Sequence, residues 1–151
     1  MDSDNLVYEN HGIRLSIPAG WAVTEQIGED GDITISVEDG DAFWALTLLR
    51  DRPRIEQVLT EAQSAFADEY KDVDATELST TLSNFAGVGL DLNFICLELI
   101  NTAAMRCVRT GRFTAFVMYQ MTDHEREYYK PIFEEITASL DLERDQDVII
   151  S

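Results

Sequence analysis

The residues best suited to chemistry in this chain are few. Two tetrapeptides, Glu29-Asp30-Gly31-Asp32 and Glu38-Asp39-Gly40-Asp41, repeat one carboxylate-rich turn. Hard carboxylate oxygens suit calcium, but an EF-hand loop alternates its ligands over about twelve positions and closes on a bidentate Glu, which neither turn supplies. Equivalent residues of the two turns are separated by an extended segment, and at about 3.3 Å per residue they fall roughly 25–30 Å apart. They are expected as hairpin turns at opposite ends of a sheet, sharing no ion. His11 and His124 have no Cys or His at ligand spacing, and nothing in the sequence brings either to Cys96 or Cys107, so no zinc set and no Cys-His nucleophile is expected. There is no Gly-x-Ser-x-Gly elbow and no phosphate loop, and Gly87-Val88-Gly89 reads as the glycines of a turn. No catalytic residue, metal or cofactor is expected.

Glu98 interrupts Ile95-Cys96-Leu97 and Leu99-Ile100, a run that reads as a strand apolar on both faces. A carboxylate buried there demands a partner. Arg106 or Arg109 on the following strand would supply one, so an ion pair of Glu98 with Arg106 is the expectation and a ligand-pocket acid the alternative. The register of that hairpin stays open: a two-residue Asn101-Thr102 turn sets Cys96 opposite Cys107, and a three-residue turn sets Glu98 opposite Arg106. Both cysteines are expected as free thiols, because directly opposed cross-strand pairs fit disulfide geometry poorly.

Arg50, Arg52 and Arg54 stand ahead of a helix whose free N–H groups favour anions, which makes them a candidate anion site, or else a solvated turn that neutralises nearby acids. Elsewhere charge is strongly negative, with 29 acidic against 11 basic residues and a net charge of −18. No cation lies between Arg14 and Arg50. The carboxylates of the two turns, Glu29, Asp30, Asp32, Glu38, Asp39 and Asp41, form the candidate partner surface; they would steer a basic protein partner, or serve solubility alone. The same field repels phosphate backbones, so nucleic acid is not an expected partner. The longest apolar run is far shorter than the roughly 20 residues of a membrane span. Met1-Asp2-Ser3-Asp4-Asn5 lacks the basic and apolar character of a secretion signal, and the expected location is the cytoplasm.

The elements that must position these groups follow from periodicity. Alternation and turn residues predict short strands over 6–8, 13–17, 22–27, 33–37 and 43–50, joined by hairpins. Ile55, Val58, Leu59, Ala62, Phe66 and Tyr70 then repeat at helical spacing, with Pro53 suited to the first turn. Strands return over 75–84, 88–100, 104–110 and 113–121, separated by Ala86-Gly87, Asn101-Thr102 and Gly111-Arg112. Thr122-Asp123-His124-Glu125 has the form of a capping box ahead of a second helical stripe, Tyr129, Ile132, Phe133, Ile136 and Leu140. Pro131 either kinks that helix or begins its regular part. Trp21 and Trp44 fall in strand patterns and are expected in the core. The chain reads as one α+β domain over residues 1–151, a mainly antiparallel sheet flanked by two helices, with its core over 6–142 and an acidic tail over 143–151 whose Val148-Ile149-Ile150 is either frayed or added to a sheet edge.

The segment Tyr8-Glu9-Asn10-His11-Gly12-Ile13-Arg14-Leu15-Ser16-Ile17-Pro18-Ala19-Gly20-Trp21 resembles the opening hairpin of the PsbP-like superfamily, which closes in Pro-x-Gly-Trp. Phe85-Ala86-Gly87 and the last helix, at Ile136 to Leu140, are similar too, and the likeness runs from Leu6 to Leu142. That superfamily holds the extrinsic PsbP proteins of photosystem II, the Mog family of Ran-binding import factors and many small bacterial proteins of unassigned role. The resemblance implies an α/β/α sandwich that binds other proteins and carries no common catalytic apparatus. Only five residues precede the first strand, so neither the extended arm of PsbP nor a photosystem role is expected. The combined reading is a non-enzymatic cytoplasmic adaptor or chaperone-like module. A small-molecule or lipid-like binder with a cleft between sheet and helix is the alternative, and an enzyme comes third.

Overall fold

The computed structural model describes residues 5–143, and the acidic tail beyond Glu143, with Val148-Ile149-Ile150, lies outside them. The elements run β1 (Leu6–Asn10), β2 (Ile13–Ile17), β3 (Ala22–Ile27), β4 (Ile33–Asp39), β5 (Ala42–Leu49), α1 (Ile55–Glu69), β6 (Asp74–Leu82), β7 (Phe85–Cys96), β8 (Leu99–Arg109), β9 (Thr114–Thr122) and α2 (Arg126–Ser139). Seven strands form one antiparallel sheet in the order β3-β4-β5-β9-β8-β7-β6, and β1 pairs with β2 as a separate hairpin.

Alternation decides which face each strand buries. Ile33, Ile35 and Val37 of β4 lie opposite Leu48, Leu46 and Trp44 of β5, and all six are buried on one face, under α2 and the β1–β2 hairpin. Thr34 and Ser36 turn to the other face, where α1 covers β7 and β8 through Val58 and Leu59 against Leu90, Leu92, Phe94 and Met105. The result is the α+β sandwich expected, with an added hairpin in the α2 layer. Trp44 is fully buried, and its indole N–H donates to Thr137 Oγ1 at 2.9 Å, so the core tryptophan also fixes the rotation of α2. Trp21 is half-buried instead, its ring edge-on to Tyr129 and Phe133 at centroid distances of 6.0 Å.

The turns of the second meander differ from expectation, and the helix starts take definite form. The β7–β8 turn is Leu97-Glu98, not Asn101-Thr102, so Cys96 faces Leu99 while Cys107 faces Val88 and Phe116. Asn101 and Thr102 are buried in β8 because they have polar partners there: Thr102 Oγ1 donates to Asn93 Oδ1 at 2.7 Å, and Gln120 Nε2 donates to Asn101 Oδ1 at 3.3 Å. The β6–β7 turn is Ser83-Asn84, and Ala86 to Gly89 continue β7. Gly87 is a strand glycine because a β-carbon there would overlap the Cys107 carbonyl. Pro131 sits inside α2, which begins before it, and Pro53 precedes the N-cap of α1, Arg54. Glu125 makes the backward half of the capping box, its Oε1 accepting from the Thr122 amide at 3.1 Å.

Candidate functional site

Because β4 runs the length of the sheet between the two acidic turns, their carboxylates do not form one surface. Glu29, Asp30 and Asp32 lie at the end that also carries residues 50–54. Asp32 Oδ1 accepts from the Arg50 amide there at 3.0 Å. Glu38, Asp39 and Asp41 lie at the opposite end, with the Leu97-Glu98 turn and the start of α2. Asp39 Oδ2 accepts from the Tyr129 hydroxyl at 3.2 Å, and burial together with this carboxylate raises the Tyr129 phenol above its ordinary pKa.

The arginine cluster separates as well. Arg52 adopts φ +53° and turns its Nε to the Thr110 carbonyl at 2.9 Å, while Arg109 Nε donates to the Arg52 carbonyl at 3.0 Å. These two staple the β5–α1 connection to β8. Arg54 faces Glu56 at 3.7 Å in an exposed pair, and Arg50 is exposed. The three do not converge on one anion.

The expected ion pair of Glu98 with Arg106 is not made. Glu98 is exposed at the hairpin turn, and Arg106 Nη1 instead donates to Asp91 Oδ1 at 2.8 Å. The reason is register: with the turn at Leu97-Glu98, Arg106 pairs with Gly89, far from the tip.

That tip is the feature which sequence reasoning missed. Pairing with β6 stops at Asp74 opposite Asn93, and pairing with β9 stops at Thr122 opposite Asn101. Residues 94–100 therefore project past both neighbouring strands as a two-stranded finger. Phe94 anchors its base on the α1 side, stacked on Tyr70 at 4.3 Å and beside Phe66 at 5.3 Å. Beyond that anchor Ile95 pairs with Ile100 at 65% and 50% exposure, and Leu97 is 89% exposed. Leu97 and Glu98 both hold positive φ, +52° and +65°, in a two-residue turn that ordinarily selects Asn-Gly. Two non-glycine residues in this region cost about 1–2 kcal/mol each. Acidic groups surround the finger: Glu98 in its turn, Asp74 at the β6 start, and Asp123, whose amide donates to the Ile100 carbonyl at 2.9 Å. Beyond Asp123, His124, Arg126, Glu127 and Lys130 line an open depression of about 470 Å³.

At the other end of the sheet a second polar cluster ties the β1–β2 hairpin down. Glu25 accepts from the Tyr8 hydroxyl at 2.7 Å, meets His11 Nε2 at 3.2 Å and takes a longer contact from Asn10 at 3.4 Å. The hydrogen bonds from Tyr8 and then His11 lower the Glu25 pKa, and burial followed by the Glu25 contact raises that of Tyr8. Two grooves flank α2. One, of about 440 Å³, lies between Ser16, Pro18, Ile132 and Ser139; the other, of about 780 Å³ and more polar, runs past Arg14, Ser83, Glu134 and Asp141. Among the described residues no three His, Cys, Asp or Glu side chains gather as a metal set, and no helix is long and apolar enough to cross a membrane.

No protein-family model and no curated protein matches the chain. The fold is nevertheless found among solved structures. Cyanobacterial PsbP from Synechocystis matches with a TM-score of 0.59 at 13% identity, over 91% of each chain. A protein from Bacteroides thetaiotaomicron gives 0.60 at 14% identity, over 93% of this chain and 48% of the other, so this chain spans about half its length. PA94 of Pseudomonas aeruginosa, a protein of unknown function, gives 0.52 at 10% identity over 86% and 91% of the two chains. At these identities the likeness is one of fold, and the chain has the PsbP-like fold.

Proposed function

We propose that this PsbP-like chain is a non-catalytic protein-binding module that docks through the β7–β8 finger. Its occupant is a protein partner that offers an apolar cleft rimmed by basic residues. The observation that carries this reading is Leu97, 89% exposed at the tip of a turn held in left-handed geometry. An isolated exposed Leu is ordinary, but three aliphatic side chains left facing water on a projecting, backbone-strained tip form a patch suited to a partner. The strain is supported by the packed sheet behind it. Charge selects the partner: Glu98, Asp74 and Asp123 at the finger and a net charge of −18 favour a basic rim and disfavour an anionic bilayer. The distant acidic turn at Glu29, Asp30 and Asp32 then contributes to solubility rather than to contact.

The test is retention of a native partner from cells that express the protein. The parent and an Asp30→Asn, Asp32→Asn variant should both retain the same stoichiometric protein, released by added salt, and Leu97→Asp should not. Vesicles of mixed anionic phospholipid should not bind the parent. Equal retention by Leu97→Asp, or tight vesicle binding, would refute the reading.

A further inference from the structure

At the end of the sheet opposite the finger, a small cavity of about 90 Å³ is lined by His11, Ile33, Leu48, Arg50, Arg112 and Phe113. We propose that it binds a short-chain organic acid of two or three carbons, alkyl end inward and carboxylate toward the basic residues. The floor is apolar: Ile33, Leu48 and Phe113 are buried core residues. The walls carry three of the basic side chains of a chain that has only 11 Lys and Arg and two His. Such a convergence runs against the charge of the whole molecule.

Each wall residue is placed by a separate device. Arg112 donates from Nη2 to the carbonyls of Gly12 and Leu142, at 3.1 and 3.3 Å, and its guanidinium lies where a β-carbon on residue 12 would stand. Gly12, at φ +81°, is thus required both by its turn and by the arginine against it. His11 is held through Nε2 by Glu25 at 3.2 Å. Arg50 is exposed, its aliphatic stem crosses Gly31, and among the described residues its guanidinium has no hydrogen-bond or ion-pair partner. Arg50 is one of the lining residues, and a guanidinium offers the planar paired donors that match a carboxylate. Two carboxylates already stand near, Glu25 on His11 and Asp32 on the Arg50 amide, and neither occupies the Arg50 side chain.

The floor decides the class of anion. A phosphate would press at least one oxygen onto Ile33, Leu48 and Phe113, where nothing can hydrogen-bond it, and an unpaired polar atom in such a place is strongly disfavoured. An alkyl group is favoured there. At about 90 Å³ the cavity is small, which favours a short-chain acid over a fatty acid.

The experiment is an NMR titration of the full chain with sodium propionate at constant ionic strength, repeated with sodium phosphate and with the Arg50→Gln variant. Arg50 is exposed, so the variant keeps the fold, and matching spectra without ligand verify this. The expected result is saturable shifts of the Gly12, Arg112 and Phe113 amides with propionate, affinity at least tenfold weaker in Arg50→Gln, and no competition by phosphate. Non-saturating shifts, or equal affinity in the variant, would overturn the site. Phosphate that displaces propionate would overturn the assignment to an organic acid. The site lies at the far end of the sheet from the finger, so either proposal can fail without the other.

Discussion

Arg106 reaches diagonally across β7 to Asp91, two positions beyond its direct partner Gly89, and its Nη1 lies 2.8 Å from Asp91 Oδ1. The Arg106 side chain is only 15% exposed, and the same nitrogen also donates to the Met105 carbonyl at 2.7 Å. Gly89 makes this possible, since a β-carbon there would crowd both the Arg106 stem and Leu78. Removing Asp91 therefore leaves a mostly buried guanidinium short of its anion. Asp91→Ala should lose about 1–3 kcal/mol in urea unfolding, while Glu98→Ala, at an exposed turn, should stay within about 0.5 kcal/mol of the parent. The reverse order would restore the Glu98 pairing.

The finger turn should be improvable in stability at the expense of binding. Replacing Leu97 by Asn and Glu98 by Gly supplies residues that adopt positive φ readily, and should raise stability by about 0.5–2 kcal/mol. The same variant should lose the native partner. A gain in stability with undiminished retention would separate the strained turn from function.

How much of this was legible depended on which residues marked the turns. His11-Gly12 and Gly40-Asp41 carry a glycine at positive φ, which marks both hairpins in the sequence. Ser83-Asn84 and Leu97-Glu98 bend the chain with no glycine, so the apolar run around Glu98 read as one buried strand. The helical stripes of α1 and α2 were visible because their contacts are local. The Arg112 to Gly12 contact spans 100 positions, and nothing local in the sequence signals it. Arg50, Arg52 and Arg54 suggest an anion site for the same reason, because neighbours in sequence are visible and neighbours across a sheet are not.

The two thiols should differ. Both cysteines are free, Cys96 half-buried and Cys107 buried between β7 and β9. Burial pushes the Cys107 thiol up to about 12, which keeps it protonated and unreactive near neutral pH. A thiol reagent should modify Cys96 alone in the native protein and both residues after unfolding. Rapid modification of Cys107 in the native state would place it outside the core.

Glu25 should make the β1–β2 hairpin acid-sensitive. Its pKa is lowered from an ordinary value of 4.5, chiefly by the Tyr8 hydrogen bond and then by His11. A group with a depressed native pKa contributes stability above its unfolded pKa and loses it as pH falls through the native value. The gap in urea midpoint between parent and Glu25→Ala should narrow and close as pH falls through the carboxylate range. A gap that persists in acid would show that carboxylate charge is not what holds the hairpin.

The most direct measurement of the central claim is the affinity of the retained native partner for the parent and for Leu97→Asp, by titration calorimetry on variants with matching unfolding midpoints. A side chain that anchors an interface is worth about 2 kcal/mol or more, so the predicted result is a Kd weakened by about 30-fold or beyond. A Kd for Leu97→Asp equal to that of the parent would contradict docking through the finger.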